Sequence, residues 1–404
     1  MGSTTKYRGP RSWLRVGKYL LPVGLSAAGW RPTPAPTVQT PIAQLAVEHP
    51  ESVRLHAVGA SESIAEFPFT CHSSGEVEVR TLPTQDFTQP WVALLRGGTS
   101  YGRHCSAISP ALKAVRETGF HLDGDVQTSN VPISPFRLRY WRKRWTNDVT
   151  SRLWLPPKQR LTGRVATLNA RYSHNYFHWL IEILPRLITM RRAGIEADYY
   201  LVDCLSRFQQ DALAALGIAT HQLIQPHFKL MLQADELVVP SFPSPECLRL
   251  LGKSLLAGLG AGADVSLSRR VFISRRKTGT RTLSNEAEIE SLLRAHGFET
   301  HFMEDYSLAQ QARLIREAEF IVATHGAGLA NIVFARPGTR VIEFVPAERF
   351  NYACYPKRTR LFGLHHQLVF TTNTSRKQML YVSLDDLSAA LERAEHPLSN
   401  SVAA

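Results

Sequence analysis

Short apolar runs alternate with polar, amphipathic stretches between Val271 and Pro346. The runs are rich in Val, Ile and Phe and are bounded by polar residues or glycine, which is typical of buried strands. They predict four strands, at about 271–274, 298–303, 320–324 and 340–345. Because helices are expected in the first two gaps, the segment predicts βαβ units and a parallel sheet.

Residues that begin and end helices support this assignment. Ser284 and Asn285 are suited to cap a helix that ends at Gly297, a residue type favoured just after a helix. Ser307 and Gln310 have the spacing of a capping box and predict the start of the next helix. The gaps between the first three strands therefore carry helix signals as well as amphipathic patterns.

Two chemically rich segments, 274–276 and 324–331, directly follow predicted strands. A parallel sheet binds its ligands beyond the carboxyl ends of its strands. We therefore expect both segments at the ligand-binding edge of one sheet.

The same kinds of pattern recur upstream, which predicts another α/β domain. Pro185 inside a long apolar stretch predicts a kink or a loosened helix end. Strands are expected at 165–168, 199–202 and 237–239, and helices at 175–192, 208–216 and about 246–259. The predicted domains are a basic arm with a Pro-rich linker (1–41), a first α/β domain (42–260), a second α/β domain (261–383) and a closing helix with a tail (384–404).

The 404 residues carry a formal net charge of +13. A basic surface favours anionic partners such as nucleotides, phosphorylated lipids, membranes or nucleic acid. The segment Arg137–Trp145 interleaves cations with Tyr and Trp, which suits a phosphate-rich surface and equally a partly exposed strand. The alternative for the overall charge is a solvated surface with an excess of Lys and Arg.

The cysteine and hydropathy patterns indicate the compartment. Five cysteines without C-x-x-C spacing argue against a disulfide scaffold or a Cys-rich zinc site, and they fit a reducing compartment. No apolar run is long enough to span a bilayer, and the basic N-terminus makes a poor signal peptide. We expect a cytoplasmic protein with peripheral contact to the inner face of a membrane through basic and aromatic segments.

On the helix predicted after Asn175, His178 and Glu182 lie four residues apart and share a face. A carboxylate beside an imidazole fixes its tautomer and raises its basicity, as a general base requires. Arg186 lies on the same helix and, with Asn175, is expected at the acceptor or the cleft. His174 raises a metal interpretation, but the pattern of zinc proteases is missing. The alternative is that His178 and Glu182 only hydrogen-bond within an interface.

Cations follow the first strand of the later domain. Ser274, Arg275 and Arg276 come directly after it, and Arg281 lies just beyond. Cations at the carboxyl end of a strand can clamp a diphosphate, and Arg can do so bidentately. The alternative is a basic loop without a ligand.

A loop of small residues follows the third strand and contains His325, Gly326, Ala327, Gly328 and Asn331. Small residues between a strand and a helix let backbone N–H groups approach an anion at the helix N-terminus. The loop is neither a P-loop nor a G-x-G-x-x-G motif. His325 could donate to a phosphate or a sugar hydroxyl, or it could be a satisfied loop histidine.

Three further patterns were weighed as site candidates. Glu343 lies in the last predicted strand, and an acid at such a strand end often accepts hydrogen bonds from ribose hydroxyls; an edge-strand charge is the alternative. Asp123 and Asp125 could hold a divalent metal against a diphosphate, but Gly between them and polar residues after them favour a turn. His365 and His366 lack a partner pattern. The sequence therefore predicts no metal ligand.

Three motifs in this order resemble glycosyltransferase family 61, the group with capsular-polysaccharide and plant cell-wall members. The resemblance covers about 169–345, and residues 1–160 match nothing recognisable. The motifs are N-Y-F-H-W-L-I-E-I-L-P-R from Asn175 to Arg186, Ser274-Arg-Arg with Arg281, Asn285 and Glu286, and H-G-A-G-L-A-N from His325 to Asn331 followed by Pro337-Gly338 and Glu343.

The resemblance implies the GT-B architecture, in which two Rossmann-like domains face each other across a cleft. It also implies inverting transfer from a nucleotide-sugar, usually without a metal, because protein cations and a helix N-terminus hold the leaving diphosphate. The later domain would bind the donor, with Arg275, Arg276 and residues 325–328 at the phosphates and Glu343 at the ribose.

The earlier domain would take the acceptor and carry His178, backed by Glu182, as the base, and these two roles could be exchanged. The resulting prediction is a glycosyltransferase that uses a nucleotide-sugar and a glycan acceptor, lipid-linked or free, and needs no separate cofactor. The alternatives are a non-catalytic protein that binds polyanions or membranes, and a degenerate transferase that binds nucleotide without turnover.

Overall fold

The structure is a computed structural model, and it describes residues 33–34, 36, 39–118, 154–155, 157–262, 268–347, 353–373 and 379–395. Three features named above lie outside the described residues: most of the basic arm, the Arg137–Trp145 segment and the Asp123–Asp125 pair. The described chain is a mixed α/β protein with several sheets, which confirms the α/β part of the predicted fold class. None of the helices in these ranges is both long enough and apolar enough to cross a membrane.

The first thirteen strands are β1 (Thr33–Pro34), β2 (Gln39–Thr40), β3 (Val53–Ala57), β4 (Glu62–Ile64), β5 (Phe67–Ser73), β6 (Glu76–Leu82), β7 (Gln85–Phe87), β8 (Trp91–Arg96), β9 (Thr99–Tyr101), β10 (Ser106–Ile108), β11 (Ala114–Val115), β12 (Trp154–Leu155) and β13 (Gln159–Thr167). The later strands are β14 (Tyr199–Leu201), β15 (Leu223–Ile224), β16 (Met231–Pro240), β17 (Arg269–Ile273), β18 (Phe298–His301), β19 (Ala318–Thr324), β20 (Arg340–Pro346), β21 (His365–Asn373) and β22 (Leu380–Tyr381).

The α-helices are α1 (Ile42–Glu48), α2 (Tyr176–His178), α3 (Pro185–Arg192), α4 (Arg207–Ala215), α5 (Pro245–Gly258), α6 (Glu286–Ala295), α7 (Leu308–Glu317), α8 (Cys354–Phe362) and α9 (Leu384–Glu395). A π-helical turn spans Trp179–Ile183, and 3-10 turns span Arg116–Thr118, Thr220–Gln222, Met303–Asp305 and Ala327–Phe334.

The chain divides into two compact units, each made of separated segments. The first unit holds residues up to 60, 89–174 and 182–243, and the second holds 61–88, 175–181 and everything from 244 onward. This division differs from the predicted domains, which placed 61–88 and 244–260 in the first. Residues 61–88 belong to the second unit because of a long-range strand pairing. The strand β5 pairs in parallel with β21 and thereby adds the hairpin β5–β6 to the second unit's sheet.

The first unit contains a mixed sheet. Strands β13, β14, β15 and β16 pair in parallel, whereas β8 and β9 pair antiparallel with β16. Val165, Leu201 and Leu237 from the parallel strands are fully buried in one apolar cluster, which is why their runs read as nearly continuous hydrophobic sequence. The helix α4 ends before Gly217, whose φ of 77° suits only a residue tolerant of left-handed backbone.

The second unit is built around the sheet β18-β17-β19-β20-β21-β5-β6, in which every neighbouring pair is parallel except β5 with β6. Phe272, Phe320 and Phe344 lie on one face, fully buried in an apolar cluster with α6 and α9. All four strands predicted between Val271 and Pro346 are present, each shifted by at most a few residues.

Three of the helix signals of this unit are also confirmed, whereas the predicted cap is not: Asn285 lies at the cap position of α6, but its side chain donates to Val382 O at 2.8 Å and makes no cap hydrogen bond. The helix α6 ends at Ala295, and Gly297 just beyond it has a φ of 77°. The Ser307–Gln310 capping box forms at the start of α7: Ser307 Oγ accepts from Gln310 N at 3.3 Å, and Gln310 Oε1 accepts from Ser307 N at 2.9 Å. The closing helix is present as α9.

The long helix predicted at 175–192 is not continuous. It begins as α2, with Asn175 Oδ1 accepting from Phe177 N at 2.9 Å, loosens into the π turn, and restarts as α3 with Pro185 at its first position. Proline cannot donate the backbone hydrogen bond that a continuous helix requires there, so the preceding turn widens. The predicted loosening at Pro185 is confirmed, and the single helix was wrong.

Candidate functional site

The loops that follow β17 and β19 in the second unit were predicted to lie at the same edge of one sheet, and they do. Strands β17 and β19 are parallel neighbours, with Ile273 opposite Ala323. Ser274 and His325 therefore begin loops at the same carboxyl edge of the sheet. The sequence expectation for this edge is confirmed by the pairing of the two strands.

Arg275 lies directly against the glycine-rich loop. A Cβ atom placed on Gly326 would overlap Nη1 of Arg275, so a side chain at this position would displace the guanidinium group. The neighbouring Arg281 donates from Nη1 to the backbone oxygen of His325 at 2.8 Å. Arg275 and Arg281, both from the loop after β17, thus contact the first residues of the loop after β19.

The electrostatics of this cation pair favour an anion. Burial, and then the charge of Arg281, lower the pKa of Arg275 to about 10, and burial also lowers the pKa of Arg281. Both groups still carry their charge at neutral pH. Because two partly buried cations repel each other, a diphosphate beside them would relieve that repulsion and gain charge-assisted hydrogen bonds.

The structure separates Ser274 and Arg276 from this pair. Ser274 is buried, and its hydroxyl bonds to the carboxylate of Glu286 while accepting from Arg276 N at 3.1 Å. The guanidinium of Arg276 lies 2.6 Å from Glu290 and 3.5 Å from Glu286, and the bond to Glu290 raises its pKa. Arg276 therefore already has acidic partners on α6.

The glycine-rich loop opens a 3-10 helix, Ala327–Phe334, where an α-helix was expected. Asn331 in this helix is fully buried, and its amide donates to Gln311 Oε1 and to Gly328 O, both at 2.9 Å. Its Oδ1 accepts from the hydroxyl of Tyr176 at 2.6 Å. Asn331 thus stabilises the conformation of the loop, and we expect residues 325–328, which precede it, to contact a ligand.

Glu343 sits inside β20 and is fully buried, not at a strand end as predicted, and β21 follows it in the sheet. Its Oε1 lies 2.6 Å from Nδ1 of His325, and its Oε2 lies 3.2 Å from Nε2 of His366. Burial would raise the pKa of Glu343, but the hydrogen bonds and charges of His325 and His366 together hold it below its usual value. The carboxylate therefore fixes the ring of His325 at the sheet edge.

Two residues of this site were missed in the sequence. His366, set aside for want of a partner pattern, contacts Glu343 through one ring nitrogen and Thr359 Oγ1, at 2.9 Å, through the other. Tyr355 donates its hydroxyl to Gly326 O at 2.6 Å, and its ring meets the edge of His325 at a centroid distance of 5.5 Å. Neither contact leaves a signal in local spacing.

The candidate base His178 ends α2 in the second unit and is half-buried. Its ring packs edge-on against Phe177, with centroids 5.2 Å apart, and Phe177 in turn meets the ring of Tyr355 at 5.6 Å. His178 is therefore linked by aromatic contacts to the residue that binds Gly326. Its neighbour Asn175 uses its side chain as the helix cap.

The other two residues of that helix motif belong to the first unit. Arg186 is buried and donates to the backbone oxygen of Glu182 at 3.2 Å, and burial lowers its pKa to about 10. Its guanidinium stacks over Phe242 at 4.9 Å. Glu182 is half-buried in the π turn.

The first unit also has a buried polar cluster that the sequence patterns did not predict. Asp203, two residues beyond β14, accepts from Ser173 Oγ and from Gln225 Nε2, each at 2.5 Å. Asn169, two residues beyond β13, accepts from Asp203 N at 3.0 Å. The sequence did contain one indication of this cluster, because Asp203 directly follows the strand predicted at 199–202.

Within the described ranges, no group of three or more His, Cys, Asp or Glu side chains is arranged to hold a metal ion.

Glu343→Gln tests the buried carboxylate. Because its folded pKa is depressed, the charge contributes stability that is complete above the unfolded value of about 4.3 and is lost as pH falls through the folded pKa. We expect the variant to lose about 1–3 kcal/mol of unfolding free energy near neutral pH, and less at about pH 4. Urea denaturation followed by circular dichroism measures both. A deficit that is the same at both pH values would contradict the assignment.

Comparison with known proteins gives matches of three kinds. Residues 176–342 match the sequence model of the family described as Glycosyltransferase 61. The Xenopus tropicalis protein O-linked-mannose beta-1,4-N-acetylglucosaminyltransferase 2 is 28% identical over 139 residues, which are 33% of this chain and 24% of that protein. The chain thus matches about a quarter of the length of this relative. The crystal structure of the dodecameric iron-containing heptosyltransferase TibC in complex with ADP-D-beta-D-heptose aligns with a TM-score of 0.25 and 11% identity over 78% of this chain and 81% of that chain, a similarity too low to define a shared fold.

The family match agrees with the predicted resemblance to a glycosyltransferase family over residues 176–342. More particularly, this match to the Glycosyltransferase 61 model contains the three motifs on which the resemblance was predicted, apart from Asn175 and Glu343 at its two ends. The family segment contains α2, the cation pair and the loop that starts at His325.

Proposed function

We propose that the protein is an inverting, metal-independent glycosyltransferase that moves a sugar from a nucleotide-sugar to a glycan hydroxyl in polysaccharide or glycoconjugate synthesis. The observation that carries the proposal is the meeting of Arg275 and Arg281 with the loop at His325 and Gly326, inside the family segment. A GT-B arrangement of the two units and a cytoplasmic place at a membrane's inner face belong to the same proposal.

The cation pair would hold the diphosphate of the donor. When the bond to the anomeric carbon breaks, negative charge develops on the leaving phosphate, and cations already in place stabilise it without reorganisation. No divalent ion is needed for that task if Arg275 and Arg281 supply the charge. His325, oriented by Glu343, would donate a hydrogen bond to a phosphate or a sugar hydroxyl.

His178 would take the proton of the acceptor hydroxyl as that hydroxyl attacks the anomeric carbon opposite the leaving phosphate. A positioned imidazole is the usual general base at neutral pH. Glu182 is the second candidate for this role, because it lies four residues further along the same helical stretch.

Calorimetric binding of a panel of nucleoside diphosphates, with and without EDTA, tests this function. We expect one nucleotide to bind selectively and to bind equally well in EDTA, because protein cations hold the diphosphate. Selective binding that vanishes in EDTA would contradict metal independence and would direct attention to Asp123 and Asp125.

Weak binding of every polyanion, steeply dependent on salt, would instead support the non-catalytic alternative. Selective binding without release of nucleotide from any nucleotide-sugar in the presence of acceptors would support the degenerate transferase.

A further inference from the structure

A cavity of about 390 Å³ opens at the other edge of the second unit's sheet. Phe67, Arg340 and His365 line it, and they are the first residues of the parallel strands β5, β20 and β21. The cation pair and His325 lie instead at the carboxyl edge. Since β20 has seven residues, roughly 20 Å of strand separates the two edges. The cavity is therefore distinct from the proposed donor site.

The lining of the cavity is strongly cationic. It includes Arg340, Arg360 and Arg393 along with two histidines, and the described lining residues include neither Asp nor Glu. Arg340 is partly neutralised, since its guanidinium lies 3.5 Å from Glu319. Within the described part of the chain, no carboxylate forms an ion pair with Arg360 or Arg393. Two guanidinium groups are thus available to a dianion.

An apolar wall stands beside these cations. Phe67, Phe69 and Leu364 line the cavity and are themselves largely buried. The guanidinium of Arg360 lies 5.8 Å from the centre of the Phe67 ring. An apolar wall with a few converging charged groups, at this volume, is the usual make-up of a small-molecule site. Because carbon atoms as well as charged groups line the cavity, a phosphorylated organic molecule matches this lining better than a free ion.

We propose that this cavity binds a small phosphorylated molecule, about the size of a sugar phosphate, at a site separate from the donor site. The phosphate would lie between Arg360 and Arg393, and the remainder of the ligand would pack on Phe67. Arg is suited to this because its planar fork binds phosphate bidentately.

The floor of the cavity connects it to the donor edge. His366 and Thr359 line the cavity, and His366 lies 3.2 Å from Glu343, which bonds to His325 at 2.6 Å. A ligand that contacts His366 would therefore be two side chains away from the donor loop. We expect this contact to couple the two sites. Since coupling is reciprocal, the donor and the cavity ligand should change each other's affinity by the same factor.

Isothermal titration calorimetry with glucose 6-phosphate, inorganic phosphate and glucose tests the proposal on the full chain. We expect glucose 6-phosphate to bind most tightly, phosphate more weakly and glucose not at all. The double variant Arg360→Ala/Arg393→Ala should bind glucose 6-phosphate at least about tenfold more weakly, because it loses two charge-assisted contacts. Arg294→Ala removes an exposed cation of the same unit and is the matched control.

Three results would overturn the proposal. The first is no binding of either phosphate probe, and the second is an equal loss in the Arg294→Ala control, which would mean a general charge effect. The third is loss of glucose 6-phosphate binding in Arg275→Ala, measured without nucleotide, which would place it in the donor site. Failure of the donor proposal would appear only in nucleotide binding, so the two are distinguishable.

The same titrations measure the connection through Glu343. We expect saturating glucose 6-phosphate to change the affinity for the selected nucleoside diphosphate by about fivefold or more. Unchanged affinity, with glucose 6-phosphate bound, would contradict the connection.

Discussion

His178→Ala should lower the rate of sugar transfer by about 10²- to 10⁴-fold, the usual contribution of a general base. The side chain is half-buried and not enclosed in an apolar core, so its removal should leave the fold intact. Affinity for the nucleoside diphosphate should stay within about threefold of the wild-type value, because the donor contacts come from other residues. Nucleotide release from the donor sugar and calorimetric binding provide the two measurements.

His174→Ala is the matched control, because His174 is an exposed histidine four residues earlier in the same segment. It should retain nearly full activity. Glu182→Gln shows whether the roles are exchanged: a larger loss there than in His178→Ala would make Glu182 the base. Full activity in His178→Ala would refute the catalytic assignment.

Arg275→Ala should weaken nucleoside diphosphate binding by roughly 10- to 100-fold, which corresponds to about 1.5–3 kcal/mol for hydrogen bonds to a charged group. The loss in the rate of transfer should be at least as large, since charge on the leaving phosphate grows in the transition state. Gly326→Ala should produce a smaller loss without removing any charge, because the new Cβ atom would displace the Arg275 guanidinium from its position on the loop.

Lys277→Ala serves as the matched control for this pair of variants. Lys277 lies two residues further along the same loop, and its ammonium group is paired with Asp305 at 2.5 Å. Its removal should change nucleotide affinity by no more than about threefold, because this charge is exposed and screened. Equal losses in Lys277→Ala and Arg275→Ala would mean a diffuse basic surface and no defined diphosphate site. Thermal unfolding of Gly326→Ala separates lost binding from lost folding.

The second unit's central strands could be predicted because each carries its own signal. The strands β17, β19 and β20 each contain a run of buried Val, Ile, Phe or Ala residues, since a parallel sheet is covered on both faces. The caps at Ser307 and Gly297 are local too, because a capping side chain and its backbone partner lie within one turn. Periodicity and capping together were enough to place Ser274 and His325 at one edge.

The discontinuous membership of the units could not be predicted in this way. The hairpin β5–β6 reads as two ordinary strands, and nothing local shows that β5 pairs with β21, almost three hundred residues later. This pairing depends on the position of β21 in the sheet, where one side of β21 pairs with β20 and the other side is left for β5. The assignment of 61–88 to the first domain was wrong for that reason.

By itself, the sequence determined the α/β class, the order of strands and helices around residues 271–346, the resemblance of residues 176–342 to glycosyltransferase family 61 and the principal candidate groups. The tertiary structure decided which of those groups work together. In the folded chain, Arg275 and Arg281 contact the loop that begins at His325. Arg276 forms an ion pair with Glu290 of α6. Glu343 lies between His325 and His366. Residue type and spacing reveal what a side chain can do, whereas its partners come from distant strands, so only the folded chain determines them.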